Sequence, residues 1–88
     1  MAITVEFYGV ARERAGRAEA TVASGERLGE VLAELAASMP RWAETCLSGE
    51  HLRPGYVANV NGQRFVSDPD TALRPGDRLL IMAADAGG

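Results

Sequence analysis

The chain has 88 residues, of which 47% are hydrophobic and 24% charged, and its net charge at pH 7 is −3. This length suits one globular domain with a small core, without room for a deep catalytic cleft of its own. The acidic balance argues against nucleic acid and anionic membranes as partners, and no apolar run approaches the roughly 20 residues of a membrane-spanning helix.

Two short strands are predicted near the start of the chain. Ile3, Val5 and Phe7 alternate with polar residues, which is the pattern of a strand with one face in a core. A second alternation over residues 17–23 predicts an antiparallel partner. We interpret residues 9–16 between them as a polar, solvated connection with room for one helical turn.

One main helix is predicted next. Ser24 is a favourable N-cap residue, and Pro40 ends the helical pattern. Glutamates at positions 26, 30 and 34 are expected to face solvent. The apolar stripe opposite them consists of Leu28, Val31, Leu32, Leu35 and Met39. We expect this stripe to cover one face of a sheet, with a partner-binding face as the alternative.

Residues 41–55 lose this periodicity and contain the only cysteine, Cys46, and the only histidine, His51. We interpret them as an elaborated connection, with a short helix over residues 42–47 and with Trp42 and Leu47 folded back onto the body. A single cysteine forms no intrachain disulfide and no cysteine metal cluster. Since the first residues also lack a secretory signal, we expect a cytoplasmic location. A buried Cys46 is favoured over a catalytic pair with His51.

The second half of the chain is predicted to complete the sheet. Residues 56–60, the dipeptide Asn61-Gly62 and residues 63–66 predict a β-hairpin, because Asn-Gly is a strong hairpin signal. After several turn residues, the apolar run 78–82 predicts a last strand covered on both faces. A right-handed crossover through the helix would place the first and last strands side by side and parallel.

One face of the predicted sheet has no helix to cover it. If Leu79 points toward the helix, Leu80 and Met82 point to the opposite face. Because an exposed apolar patch commonly marks an interface, we expect Leu80, Met82 and Phe65 to form a partner-binding surface. The alternative is that residues 41–55 cover this face.

The sequence ends with Ala83-Ala84-Asp85-Ala86-Gly87-Gly88, and we interpret residues 83–88 as an extended tail that follows a domain of residues 1–82. Six extended residues span about 20 Å. Glycines lack Cβ, so the end of this tail can enter a narrow channel. The carboxyl of Gly88 becomes a good electrophile once it is activated as an acyl-adenylate. The alternative is a frayed terminus without function.

Four motifs give this arrangement a family resemblance. They are Ala11-Arg12-Glu13-Arg14-Ala15-Gly16, Val60-Asn61-Gly62, Leu73-Arg74-Pro75-Gly76-Asp77 and the final Gly87-Gly88. In this order they resemble the MoaD/ThiS-type sulfur carriers, most of all the molybdopterin synthase small subunit. The resemblance implies an α+β fold of the ubiquitin-like β-grasp class. Such a fold has a mixed sheet of four or five strands, one main helix on one face and a flexible Gly-Gly tail.

The resemblance also implies a protein co-substrate without catalytic residues, cofactor or metal of its own. An E1-like adenylating enzyme would use ATP to activate Gly88, and sulfur would replace AMP to give a thiocarboxylate. Gly87, Ala86 and Asp85 would enter the partner. The acceptor would be the molybdopterin synthase large subunit, whose chemistry builds molybdopterin for the molybdenum cofactor. Carriers for cysteine or thiamine biosynthesis are the alternatives.

Two departures from the molybdopterin-type pattern leave the acceptor open. Residues 82–86, just before the final glycines, include no proline or aromatic, and residues 41–55 are longer than in the smallest carriers. Two other classes of function remain open, a ubiquitin-like protein modifier and a non-covalent interaction module with an inert tail. All nine basic residues are arginines, so the chain cannot form lysine-linked chains on itself.

Overall fold

The first and last strands of the chain lie side by side at the centre of the main sheet. The computed structural model describes residues 2–23 and 25–84. Its elements in chain order are β1 (Ile3–Phe7), α1 (Gly9–Ala15), β2 (Glu19–Val22), α2 (Leu28–Ser38), α3 (Pro40–Cys46), β3 (Leu47–Ser48), β4 (His51–Leu52), β5 (Tyr56–Val60), β6 (Arg64–Val66) and β7 (Arg78–Ala83). The main sheet has the order β2-β1-β7-β5-β6, and β3 pairs separately with β4. Strands β1 and β7 are parallel and the other pairs are antiparallel, as predicted.

The core lies between one face of the main sheet and the helices. The buried residues of α2 are Leu28, Gly29, Val31, Leu32 and Leu35. The predicted apolar stripe is therefore a core stripe, with Met39 partly buried at its end. The glutamates at positions 26, 30 and 34 are exposed, as expected. No helix in the described part of the chain is long and apolar enough to cross a membrane.

The last strand is fully covered on only one face, contrary to the prediction. Leu79 and Ile81 are 0% exposed, because they lie between β1 and β5 beneath the helices. Leu80 and Met82 on the other face are half-buried. The apolar run at residues 79–82 therefore reflects a core face together with a partly exposed apolar face.

Helix α1 replaces the predicted solvated connection. It has seven residues and is capped at its C-terminus by Gly16. The φ of Gly16, 72°, is a left-handed conformation that glycine adopts without strain. Arg12 and Arg14 lie in its last turn, where cations interact favourably with the helix dipole. Ala11 is its only fully buried side chain, so the sequence shows almost no helical apolar periodicity here.

The N-cap of helix α2 lies three residues later than the predicted Ser24. Its N-cap is Arg27, and Ser24 lies outside the described residues. The carboxylate of Glu30 accepts the backbone N–H groups of Glu26 and Arg27, at 2.9 and 3.1 Å. The N–H groups of Leu28 and Gly29 are bound by carbonyl oxygens of the distant loop at residues 69–71. The start of α2 is thus set by its own third residue and by a loop far along the sequence.

Residues 41–55 pack on the helix side of the sheet. Pro40 occupies the first turn of α3, where its missing N–H costs nothing. The Trp42 ring contacts the Phe7 ring edge-on, with 5.3 Å between centroids. Leu47 is also buried, so the predicted folding back of Trp42 and Leu47 is confirmed. Since Phe7 belongs to the core face, the alternative that this segment covers the open face is wrong.

The Asn-Gly hairpin forms as predicted and is tied to the last strand. Asn61 and Gly62 have φ values of 58° and 71°, the conformations that this tight turn requires. The Asn61 amide donates to Asp77 at 3.0 Å and its oxygen accepts the N–H of Arg78 at 2.8 Å. These bonds fix the turn between β5 and β6 against the start of β7.

The one-sided core leads to a stability prediction. Ile81→Ala should lower the free energy of unfolding by about 2–5 kcal/mol, because it leaves a cavity in the packed face. Met82→Ala, one residue along the same strand, should cost about 1 kcal/mol, since much of that side chain already contacts water. Urea unfolding followed by tryptophan fluorescence measures both. Equal losses would contradict a core on one face only.

Candidate functional site

The domain holds the chain up to Ala84. Ala83 is the last residue of β7, pairs with Tyr56 and is 8% exposed. The N–H of Ala84 donates to the carbonyl oxygen of Gly55 at 2.7 Å. Two of the six residues predicted as tail are therefore bound to the sheet, and the predicted boundary after Met82 falls inside β7.

The predicted reactive end lies beyond this point. Asp85, Ala86, Gly87 and Gly88 lie outside the described residues, and their roles stay predictions. Four residues after Ala84 span at most about 14 Å when extended, rather than about 20 Å. A partner that reaches Gly88 must therefore approach close to the end of β7.

The sheet face opposite the helices carries an apolar patch. We call Val57, Phe65, Leu80 and Met82 the open-face patch. Strand register places them on one face, because Met82 pairs with Val57, while Leu80 and Phe65 both pair with Asn59. Phe65 is 69% exposed, the largest value among the exposed large hydrophobic residues. The structure thus brings together the three residues predicted to bind a partner.

Asn59 lies at the centre of this patch and was not singled out from the sequence. It is 7% exposed, and its side-chain oxygen has no hydrogen-bond donor among the described residues. A buried acceptor without a partner is costly, so this oxygen is an unusual feature of the sheet. The signal was present in the sequence, since Asn59 is the polar residue of an otherwise apolar strand.

The other half of the open face is charged. Glu6 pairs with Glu19 on β2 and with Leu80 on β7, so an acidic row continues into the apolar patch. The Tyr8 hydroxyl and the Arg78 guanidinium both donate to the Glu6 carboxylate. The hydrogen bond from Tyr8 is the main cause that lowers the pKa of Glu6; burial opposes it, and Arg78 lowers the pKa further. The same hydrogen bond raises the pKa of Tyr8. Glu6 therefore carries a fixed negative charge at neutral pH.

Cys46 and His51 do not form a catalytic pair. Cys46 is 0% exposed, and its sulfur lies 3.6 Å from the Thr45 hydroxyl. The pKa of Tyr56 is raised mainly by burial, and a hydrogen bond with Cys46 raises it further. His51 is exposed on β4, opposite Ser48. Among residues 2–23 and 25–84, no group of three His, Cys, Asp or Glu side chains is placed to hold a metal ion.

The sequence matches the model of the ThiS family over residues 5–88. No curated protein matches the chain. The matched segment includes both glycines of the tail and all of the strands except the first residues of β1.

Several solved structures share the fold. SAMP1 from Haloferax volcanii has a TM-score of 0.80 at 19% identity, over 100% of both chains. A chain of the Amycolatopsis orientalis BexX/CysO complex has a TM-score of 0.78 at 23% identity, over 99% of this chain and 100% of that one. A putative molybdopterin converting factor subunit 1 from Pyrococcus furiosus has a TM-score of 0.72 at 24% identity, over 94% and 97%. These matches show a ubiquitin-like β-grasp fold, as predicted. Residues 2–23 and 25–84 form three helices, of which α2 is the predicted main helix.

The burial of Cys46 predicts an unreactive thiol. In the native protein, labelling of Cys46 by iodoacetamide should be at least about a hundredfold slower than in denaturant, because it requires opening of the core. The control is Cys46→Ser combined with Ser48→Cys, which moves the thiol two residues to an exposed position. This variant should be labelled at the same rate in both conditions. Fast native labelling of Cys46 would contradict the packing described above.

Proposed function

The chain belongs to the ThiS family, and from this premise we propose that it is a sulfur carrier whose Gly88 carboxyl is converted to a thiocarboxylate. The carrier is a co-substrate, and the catalytic residues belong to its partners. What supports the proposal is the family match, which runs without interruption into the two glycines of the tail. The domain supplies a rigid base for that tail, with Ala84 bound to Gly55.

The proposed reaction proceeds by an adenylyl transfer followed by an acyl transfer. The Gly88 carboxylate attacks the α-phosphorus of ATP on an E1-like adenylating enzyme, and pyrophosphate leaves. Sulfide attacks the acyl carbon, the new C–S bond forms, and AMP leaves with one of the former carboxylate oxygens. The two glycines suit this chemistry, because a chain without Cβ atoms passes close to the nucleotide.

We assign the leading acceptor as the molybdopterin synthase large subunit. This assignment is supported by the ARERAG stretch at residues 11–16 and by the match to the putative molybdopterin converting factor subunit of Pyrococcus furiosus. Cysteine and thiamine biosynthesis are the competing routes. The inserted α3 and the β3–β4 pair favour the cysteine type, since they lengthen the middle of the chain. The match to the BexX/CysO complex supports a carrier of this fold binding another protein.

A second candidate function is protein modification. It is favoured by the match to SAMP1, a small archaeal modifier protein, over the full length of both chains. In this reaction a lysine amine of another protein attacks the activated Gly88, and an isopeptide bond replaces the acyl-adenylate. The two functions share the first step and differ in the nucleophile, so they are distinguished by their products.

The carrier proposal predicts a defined mass change. Incubation with the activating enzyme of the same organism, ATP and a sulfur donor should raise the intact mass by about 16 Da, because sulfur replaces one oxygen at the acyl carbon. A variant without Gly87 and Gly88 should keep its fold and gain nothing. Higher-mass adducts in cell lysate with no thiocarboxylate would favour the modifier, and activity that survives the deletion would favour an interaction module with an inert tail.

The open-face patch predicts a docking variant. Phe65→Asp should raise the Kd for the activating enzyme or the acceptor by at least about tenfold, because it places a charge in an apolar contact. Stability should change little, since Phe65 is 69% exposed. Thr21→Asp is the matched control, because it adds the same charge on the same face at the β2 edge, outside the patch. Isothermal titration calorimetry measures both, and an equal effect of the two changes would contradict docking through the patch.

A further inference from the structure

A polar depression lies where the ends of α1 and α2 meet the start of α3. Its volume is about 410 Å³, and three arginines line it. We call Arg14, Arg17 and Arg41 the arginine cluster. All three are exposed, and they come from two segments separated by more than twenty residues. The fold, rather than a run of basic residues, brings them together.

The side chains around this depression offer hydrogen-bond donors and positive charge. No carboxylate lines it, and within the described residues none of the three guanidinium groups lies within 4.0 Å of a carboxylate. Trp42 also lines the depression, and its buried indole N–H has no acceptor among the described residues. The Ser38 hydroxyl already donates to the carbonyl oxygen of Glu34 at 3.1 Å. Such a lining fits a ligand that brings negative charge and acceptor oxygens.

This concentration of charge contrasts with the rest of the chain. The net charge is −3, yet three of the nine arginines surround one depression. Arg64 and Arg74 line a second depression, but Asp77 lines it too and brings a carboxylate next to them. The arginine cluster lacks such a neighbour, so its positive potential is available to a charged partner.

The arginine cluster lies at the end of the molecule where the tail leaves the domain. The N–H of Phe7, the last residue of β1, donates to the carbonyl oxygen of Ala18, next to Arg17, at 2.8 Å. Because β1 runs parallel to β7 and Phe7 pairs with Ile81, Arg17 lies near the end of β7. Tyr56 pairs with Ala83 at the end of β7. The Asn-Gly turn and Arg64 lie at the opposite end of β5. A protein that holds the residues after Ala84 therefore approaches the side of the domain that carries the cluster.

We propose that the arginine cluster is a docking site for an acidic segment of the protein that receives the tail. Carboxylates of that segment pair with the exposed guanidinium groups of Arg14, Arg17 and Arg41. This inference rests on the proposed carrier function, because that function supplies a partner at this end of the domain. Electrostatic docking of this kind increases the rate of encounter and fixes the orientation of the tail.

The first experiment measures binding without any sulfur chemistry. A short polyglutamate peptide with blocked ends is titrated into the ¹⁵N-labelled full chain, and a polyglutamine peptide of equal length is the neutral control. Signals of residues 14–17 and 38–42 should shift with polyglutamate alone. The shifts should vanish at about 0.5 M NaCl, where the Debye length is below roughly 5 Å. Shifts that are spread over all nine arginines would overturn the proposal.

Matched variants then test the cluster itself. Arg17→Gln with Arg41→Gln should raise the Kd for polyglutamate about two- to tenfold, because exposed ion pairs are individually weak. Arg64→Gln with Arg74→Gln removes the same charge at the other end of the sheet and should change the Kd by less than about twofold. Equal effects of the two double variants would overturn the proposal, as would tighter binding of inorganic phosphate or single-stranded DNA than of the peptide.

Deletion of Gly87 and Gly88 separates this inference from the carrier function. The deleted chain should bind polyglutamate with unchanged Kd, although it gains no sulfur. A chain that gains sulfur but shows no selective binding at the cluster would refute the docking site and leave the carrier function standing. Selective binding with no mass gain in the full chain would refute the carrier function alone.

Discussion

The parallel pairing of β1 with β7 is the constraint on which the rest of the structure depends. It inserts the last strand between the first strand and β5, so Leu79 and Ile81 meet Val5, Phe7 and Ala58 in one packed layer. A slip of one residue would move these side chains to the open face and carry Leu80 and Met82 into the core. The same pairing sets the direction of β7 and therefore the end of the sheet from which the tail departs. Core, open face and tail position are consequences of one register.

This register divides the surface into regions with different chemistry. The helices cover one face, and the open-face patch with Asn59 occupies part of the other. The arginine cluster and the end of β7 share one end of the domain, while the Asn61–Asp77 contacts close the opposite end. For a carrier, this division means that recognition is built from the rigid domain, and that the reacting carboxyl needs no catalytic neighbours of its own. In the proposed docking, the apolar patch would supply buried area and the arginine cluster would supply orientation.

The parts of the fold that local patterns encode were predictable from the sequence. Alternation of apolar and polar residues predicted β1 and β5. The Asn-Gly dipeptide predicted the hairpin, and the apolar stripe predicted α2. Features that depend on distant partners were not. α1 buries only Ala11, and the start of α2 is fixed by carbonyl oxygens at residues 69–71 rather than by Ser24. At the site, alternation along β7 was enough to place Leu80 and Met82 together. Asn59 stands out in the sequence as the polar residue of an apolar strand, but its burial required the structure. The arginine cluster required it too, because its two segments are distant in sequence.

The central position of β7 also has a consequence for synthesis of the protein on the ribosome. The strand in the middle of the sheet is the last one to be made, so β1 and β5 have no common neighbour until residue 83 has left the exit tunnel. Until then β1–β2 and β5–β6 are separate strand pairs with unpaired edges, and the sheet cannot close. The main sheet therefore closes only once β7 is available to pair with both neighbours. A chain that lacks β7 has no closed sheet, because β1 and β5 then have no common neighbour, and it is exposed to degradation.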